Sequence, residues 1–441
     1  MLTKDRVVTI GKLALPVSVA LGATMVMSLV DLAMVAPLGN QATAAVGLSV
    51  FGQTLLLAFV GGLRPAVQGL VARRRGQGSL EAKCLPLNGG LLGSLVVGLP
   101  LAIIGYVLTP YFFSLVSSDP GVIRIGIPFL RVLYVAAVAV GINLSFQGYW
   151  TGIEKPNVFM SIVLFLNVLN FCGNYVMITG RFGFPALGPT GAALSTLIAL
   201  HVGVIVNMGL CWSRFRKDGF LTAKPSRALM TRIFGLGMPA SAQEFFRSAG
   251  FVAFYWIVGQ VGTVELAAIS VQVRVSMVLG ILAISMGSAS ATLVSRTMGE
   301  GDPAGASQWG WDTGKLGVIV ITLLALPLVV FPEFFLSIFL SDPRAIAIAV
   351  RPWQVVMAMV GIGSLIYIFA YTLISVGDGK RVAMISFGTQ WLVFLPAVWI
   401  VGPYLHYGLL QISFVQVIYG AVSTALITMI WAQGRWQKIA I

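Results

Sequence analysis

Apolar runs of the length needed to cross a bilayer recur along the whole 441-residue chain, and no other feature limits its fold as strongly. A helix rises 1.5 Å per residue, so about 20 apolar residues cover a hydrocarbon core ~30 Å thick. Such runs fall at 10–36, 44–71, 85–108, 123–149, 157–179, 187–212, 232–258, 265–295, 312–331, 350–376, 381–402 and 408–432. The fold class they predict is an all-α polytopic membrane protein with twelve transmembrane helices. Composition agrees, since 58% of the residues are hydrophobic and only 10% charged, against roughly 25% charged in soluble domains. The first run lacks the small-residue cleavage pattern of a signal peptide, so it is expected to stay in the mature protein.

The formal net charge of +14 invites a nucleic-acid reading, but its distribution argues otherwise. Lys4, Arg6 and Lys12 precede or open the first run; Arg73, Arg74, Arg75 and Lys83 follow the second; Arg214, Arg216, Lys217, Lys224, Arg227 and Arg232 join the sixth to the seventh. The alternate loops, such as 37–45, are nearly free of Lys and Arg. This is the positive-inside pattern, which places both termini in the cytoplasm. No basic domain stands apart from the membrane, so no nucleic-acid partner is expected. Cys84, Cys172 and Cys211 lie in or beside helices without metal-ligand spacing and read as small hydrophobes; no metal or cofactor is expected.

An internal repeat organises the chain. Pro16 matches Pro239, Gly39 matches Gly262, Arg73 matches Arg296, and Ser118-Asp119-Pro120 match Ser341-Asp342-Pro343, with one offset throughout (239 − 16 = 223; 342 − 119 = 223). Two pseudo-symmetric six-helix lobes follow, residues 1–212 and 232–441, with 213–231 as a basic cytoplasmic connector. Six helices return the chain to its starting side, so the copies share an orientation and form a parallel repeat. Such repeats build transporters that alternate access, whereas no filter-like segment suggests a channel.

Polar groups inside the apolar runs are the candidate functional residues. Among the acids, only Asp31 and Glu244 lie deep within them. A charge near the bilayer centre costs at least ~2.5 kcal/mol on insertion scales, so such a group normally faces protein or water and marks a functional path. A carboxyl there can carry a proton; alternatively, Asp31 bonds Ser28 or Thr24 on its own helix. Asn170 and Asn174, four apart on the fifth helix, share a face and offer amides to a carboxyl or a cation, or serve as glue between helices. Asn143 and Gln147 on the fourth helix form a similar pair and are candidates for a substrate cavity. Glu244 precedes Arg247 by three residues, which permits an intrahelical ion pair as readily as a role in binding a cationic substrate. Arg64, Arg131 and Arg274 complete the intramembrane charges. Pro16 removes one helical hydrogen bond fifteen residues before Asp31, as a hinge or a static kink. No nucleophile and base come together in the sequence, so an enzyme is not expected.

With these residues in view, the chain resembles the multidrug and toxic compound extrusion (MATE) family, and is most similar to its bacterial branch related to the DNA-damage-inducible F (DinF) transporter. The resemblance rests on twelve helices in two lobes, Pro16 followed by VDLAMVAPLG, the segment LNFCGNYV, and GPTGAALST opening the sixth helix. It implies export of amphipathic, often cationic drugs across the bacterial inner membrane, driven by inward H+ or Na+, by a protein that acts as a monomer. Asp31 matches the residue that takes the coupling ion in this branch, Pro16 the bending proline, Asn170 its polar partner and Thr196 a hydroxyl of the same network. Asn174 stands where some relatives carry a second aspartate, which favours H+ over Na+. Arg247 occupies the position of another branch's seventh-helix glutamate, which argues against a cation site in the C-terminal lobe. The resemblance thus points to a proton-coupled multidrug antiporter; a Na+-coupled antiporter and a lipid-linked saccharide flippase of the same superfamily are the alternatives.

Overall fold

The computed structural model describes residues 2–78 and 84–439, and Lys83 of the basic segment lies outside them. The described residues form helices joined by short loops, with no strand among them, because a chain this apolar must satisfy its backbone internally. The helices are α1 (Lys4–Val35), α2 (Asn40–Gly61), α3 (Leu63–Gly76), α4 (Leu85–Val116), α5 (Pro120–Val135), α6 (Ala137–Gly152), α7 (Pro156–Thr179) and α8 (Pro189–Phe215). They continue with α9 (Arg227–Val261), α10 (Thr263–Gly299), α11 (Pro303–Val330), α12 (Pro332–Ser337), α13 (Pro343–Ser375), α14 (Gly379–Phe387), α15 (Leu395–Trp399) and α16 (Leu409–Ala432). Ten spans are long and apolar enough to cross a membrane, and α5 with α6, bent by 45°, makes an eleventh. α9, whose 35 residues include Glu244 and Arg247 at mid-length, is not among these spans.

The repeat seen in the sequence is repeated in the helix boundaries. Shifted by 223, Asn40–Gly76 becomes Thr263–Gly299 and Pro120–Gly152 becomes Pro343–Ser375, the bounds of α10 and α13. The matched Asp119 and Asp342 do the same work. Each carboxylate accepts a backbone N–H two residues on, from Gly121 at 2.7 Å and from Arg344 at 2.9 Å, and so caps the helix that its proline opens.

The halves differ at two spans that are interrupted in the first and continuous in the second: α5 and α6 against α13, and α2 and α3 against α10. α10 is continuous, but its equivalent breaks at Gly62, between α2 and α3. A side chain there would collide with the Gly237 carbonyl. The Gly62 N–H donates to Ser241 Oγ at 3.1 Å, and that hydroxyl donates to the Phe59 carbonyl at 2.8 Å. The backbone groups freed by the break are thus satisfied by one serine of α9.

The chain packs into two compact units, one of residues 16–241 and the other of 1–15 with 242–441. Their limits differ from the lobe boundaries expected from the sequence, because two long helices, α1 and α9, each contribute to both units. The connector packs with the first unit. Asn88 of α4 donates to the carbonyls of Gly219 (2.8 Å) and Ala223 (2.9 Å) and accepts from the Leu221 N–H (3.1 Å), while Phe220 is fully buried. In the second unit, a stack of Phe369, Trp431 and Trp436 has ring centroids 5.2 and 4.3 Å apart.

Candidate functional site

Asp31 sits near the end of α1, and its carboxylate is bonded by side chains of α7. Asn174 Nδ2 donates to Oδ1. Asn170, one turn earlier on the same face, has the amide orientation that satisfies both its ends when Nδ2 donates to Asp31 Oδ1 at 3.1 Å. Its oxygen then accepts from the Thr196 backbone N–H (3.1 Å), with Thr196 Oγ1 (3.2 Å) and Ser195 Oγ (3.1 Å) of α8 within hydrogen-bond reach of it. Asn174 is fully buried and Asn170 nearly so. The four residues singled out in the sequence therefore lie in one network across α1, α7 and α8.

The competing local bonding of Asp31 is not what the structure contains. Thr24 Oγ1 donates to the Ala20 carbonyl (3.0 Å) and Ser28 Oγ to the Thr24 carbonyl (3.2 Å), so both hydroxyls turn back onto their own helix. Ser195 is the member that sequence reading missed. It donates to the Asn170 backbone carbonyl at 2.8 Å, where Gly173 leaves room for it. The signal was its position beside Thr196 in GAALST. Asn174 Oδ1 is buried without a protein partner, so one amide oxygen beside the carboxylate is ready to accept a proton-bearing group.

The second half holds no copy of this site. Shifted by 223, Asp31, Asn170, Asn174 and Thr196 become Phe254, Val393, Ala397 and Tyr419. Phe254 and Tyr419 instead flank Phe394, with centroids 5.3 and 4.6 Å from it.

The remaining candidates lie elsewhere. Asn143 Nδ2 donates to the carbonyls of Ala139 and Leu200 (2.9 Å each), and its oxygen accepts from Asn207 (3.3 Å), which also takes the Trp150 indole N–H (2.8 Å). It is engaged in holding α6 to α8. Gln147 is buried, with Nε2 lacking a protein partner. Glu244 and Arg247 form a bidentate pair on α9, with Nε to Oε2 at 3.1 Å. Arg131 lies over the Tyr106 ring at 4.6 Å and donates to its carbonyl. Pro16 lies within α1, which runs through it as one helix.

A membrane protein of two sequence-equivalent helical halves, with a single carboxylate held by amides in one of them, has the makeup of a secondary transporter. The chain belongs to the MatE family: that family's model matches residues 16–176 and again 239–400, two segments that begin 223 residues apart at Pro16 and Pro239. It is a transporter and not an enzyme. The chain is 26% identical over 447 residues to the probable multidrug resistance protein NorM of Thermotoga maritima, covering 98% of this chain and 93% of that protein. A NorM of Pseudomonas putida is 25% identical over 88% of this chain and 86% of its own length. The fold superposes with a TM-score of 0.88 and 18% identity, over 98% of this chain and 96% of the other, on an outward-facing multidrug resistance MATE family transporter of the MOP superfamily.

Proposed function

We propose that this protein is a multidrug efflux transporter of the bacterial inner membrane, related to the DinF branch, with both termini in the cytoplasm, that exchanges amphipathic or cationic compounds for H+ through Asp31. The observation that carries the reading is the carboxylate of Asp31 inside α1, held by the amides of Asn174 and Asn170. Ionised, Asp31 accepts from both amides and fixes α1 against α7. Protonated, it becomes a donor, and the amides must reorganise, with Asn174 Oδ1 available to accept. α1 then bends near Pro16, where the ring already removes a backbone donor. Coupling requires that proton and drug favour different shapes of this segment.

A single carboxylate in the network supports H+ over Na+, because Asn174 and Asn170 turn their NH2 groups, and not their oxygens, toward it, an arrangement that suits a carboxylate and repels a cation. The absence of an acid at the equivalent positions of the second half supports one coupling proton per cycle.

The test is drug-induced proton release in proteoliposomes in Na+-free buffer, comparing the wild type with Asp31→Asn. Release by the wild type and none by a folded, inserted Asn variant is expected. Equal release by both would refute the role of Asp31, and release by the wild type only after Na+ is added would refute the choice of ion. A flippase would transport lipid-linked saccharide and leave drug accumulation in cells unchanged.

A further inference from the structure

α1 changes company at its proline. Residues 1–15 pack with 242–441, and from Pro16 onward α1 packs with the other unit, so the boundary falls where the helix already lacks a backbone donor. The arm before the boundary is seated by an apolar stripe, since Ile10, Leu13 and Ala14 are buried. Burial of this kind is non-directional and lets a helix turn or slide on its bed. What fixes the arm is at its far end. Arg6 is bonded to the carboxylate of Asp312 on α11, has Gln308 as a second acceptor and lies over the ring of Trp309. A planar fork that meets two acceptors and a ring face sets both the position along the helix and the rotation about it. Opening the contact would leave the buried Asp312 carboxylate without the guanidinium, which makes it costly to break in every cycle.

We propose that Arg6, pinned by Asp312, is a positioning residue of the transport cycle: it keeps the N-terminal arm of α1 fixed to the second unit throughout, so that a change at Asp31 is delivered to that unit through a bend at Pro16 and is not lost as a slide of the whole helix. The proposal deepens the antiport reading and rests on it for the change at Asp31.

Each arm of α1 ends in a polar anchor on another helix, Arg6 with Asp312 of α11 and Asp31 with Asn174 of α7. Along the helix the first anchor lies ~15 Å before Pro16 and the second ~22 Å after it. A helix held at one end moves as a piece when the other end is released or pulled. Held at both ends it gives where it is weakest, at the proline. The repeat supports a role tied to the acid. Shifted by 223, Arg6 becomes Leu229 (6 + 223 = 229) and Asp312 becomes Gly89 (312 − 223 = 89), so no such clamp holds the equivalent end of α9. The clamp and the carboxylate occur together on α1.

The test replaces the clamp by a covalent link. In full-length protein carrying Cys172→Ser, which removes the exposed native thiol, the pair Arg6→Cys and Asp312→Cys removes the clamp without stranding a charge. Ethidium transport by proteoliposomes is measured under imposed H+ and Na+ gradients together, before and after cross-linking with bis(maleimido)ethane. Before cross-linking, transport should be about tenfold slower than in Cys172→Ser alone, while ethidium-induced proton release persists, because the Asp31 network lies apart from the clamp. After cross-linking, transport should return to within about twofold of that reference. Rescue is read on protein already folded, so destabilisation cannot imitate it. Transport that stays slow or stops on cross-linking overturns the proposal, and so does full-speed transport before it, which would show that the arm needs no anchor. Transport that follows the cross-link as expected, in a protein whose wild type releases no proton, would refute the choice of H+ alone.

Discussion

The guanidinium of Arg6, in the first turn of α1, is bonded to the carboxylate of Asp312 on α11 and lies over the ring of Trp309 at 4.4 Å, with Gln308 accepting a further bond at 3.1 Å. Asp312 is 3% exposed and Arg6 20%, so removing the arginine strands a buried carboxylate. Arg6→Ala should cost about 3 kcal/mol, whereas the double change to Arg6→Met and Asp312→Leu should recover most of it. Thermal unfolding in detergent checks the order; equal losses in both variants would show that the pair is not what stabilises this contact.

The network around Asp31 should behave as a unit. Asn174→Ala and Asn170→Ala each remove a bond to an ionised group, worth about 1.5–3 kcal/mol, and each should slow drug-driven proton release about tenfold. In an Asp31→Asn background neither change should add to the defect. Additive effects in such a double-mutant cycle would place the amides outside the coupling machinery.

Gly62 and Ser241 should differ in severity. A side chain at Gly62 collides with backbone, which cannot yield as a flexible side chain would, so Gly62→Val should abolish folded protein in size-exclusion profiles. Ser241→Ala leaves the Gly62 N–H without its partner and should cost about 1–3 kcal/mol, with transport retained at reduced temperature. A stable Gly62→Val would contradict the close approach of α9 to this break.

The cap at Asp119 predicts an acid limit. The backbone N–H of Gly121, then the Gln41 amide, hold its carboxyl below the usual carboxylate range. A lowered folded pKa means that the group adds stability above its unfolded value of ~3.9, and that this is lost as pH falls through the folded value. The melting temperature of the wild type should therefore drop from pH 5 to pH 3 by more than that of Asp119→Asn, which caps without a charge. Parallel curves would show that the carboxylate plays no such part.

Asn88 should govern the connector. Its three bonds to Gly219, Leu221 and Ala223 are the side-chain anchor of that segment, so Asn88→Leu should speed tryptic cleavage near Arg216 and Lys217 severalfold. Unchanged cleavage would assign the anchoring to Phe220 instead.

Much of this protein is written locally. Hydrophobic length determined that the chain spans a membrane and about how often, because a backbone in hydrocarbon has few alternatives to the helix. The shared offset of 223 placed the repeat, and the two Ser-Asp-Pro segments marked helix starts, since a cap bonds within a few residues of itself. The rarity of charge in the spans was enough to single out Asp31 and Glu244. What surrounds those groups was decided by tertiary structure. Asn174 reaches Asp31 across 143 residues, and no local pattern distinguishes it from Asn143, whose amide is engaged in holding α6 to α8. The break at Gly62 depends on a serine 179 residues away. Spacing states which side chains share a face of one helix, but the partner of a polar group is set by packing between helices distant in sequence, and packing alone separates a coupling site from glue.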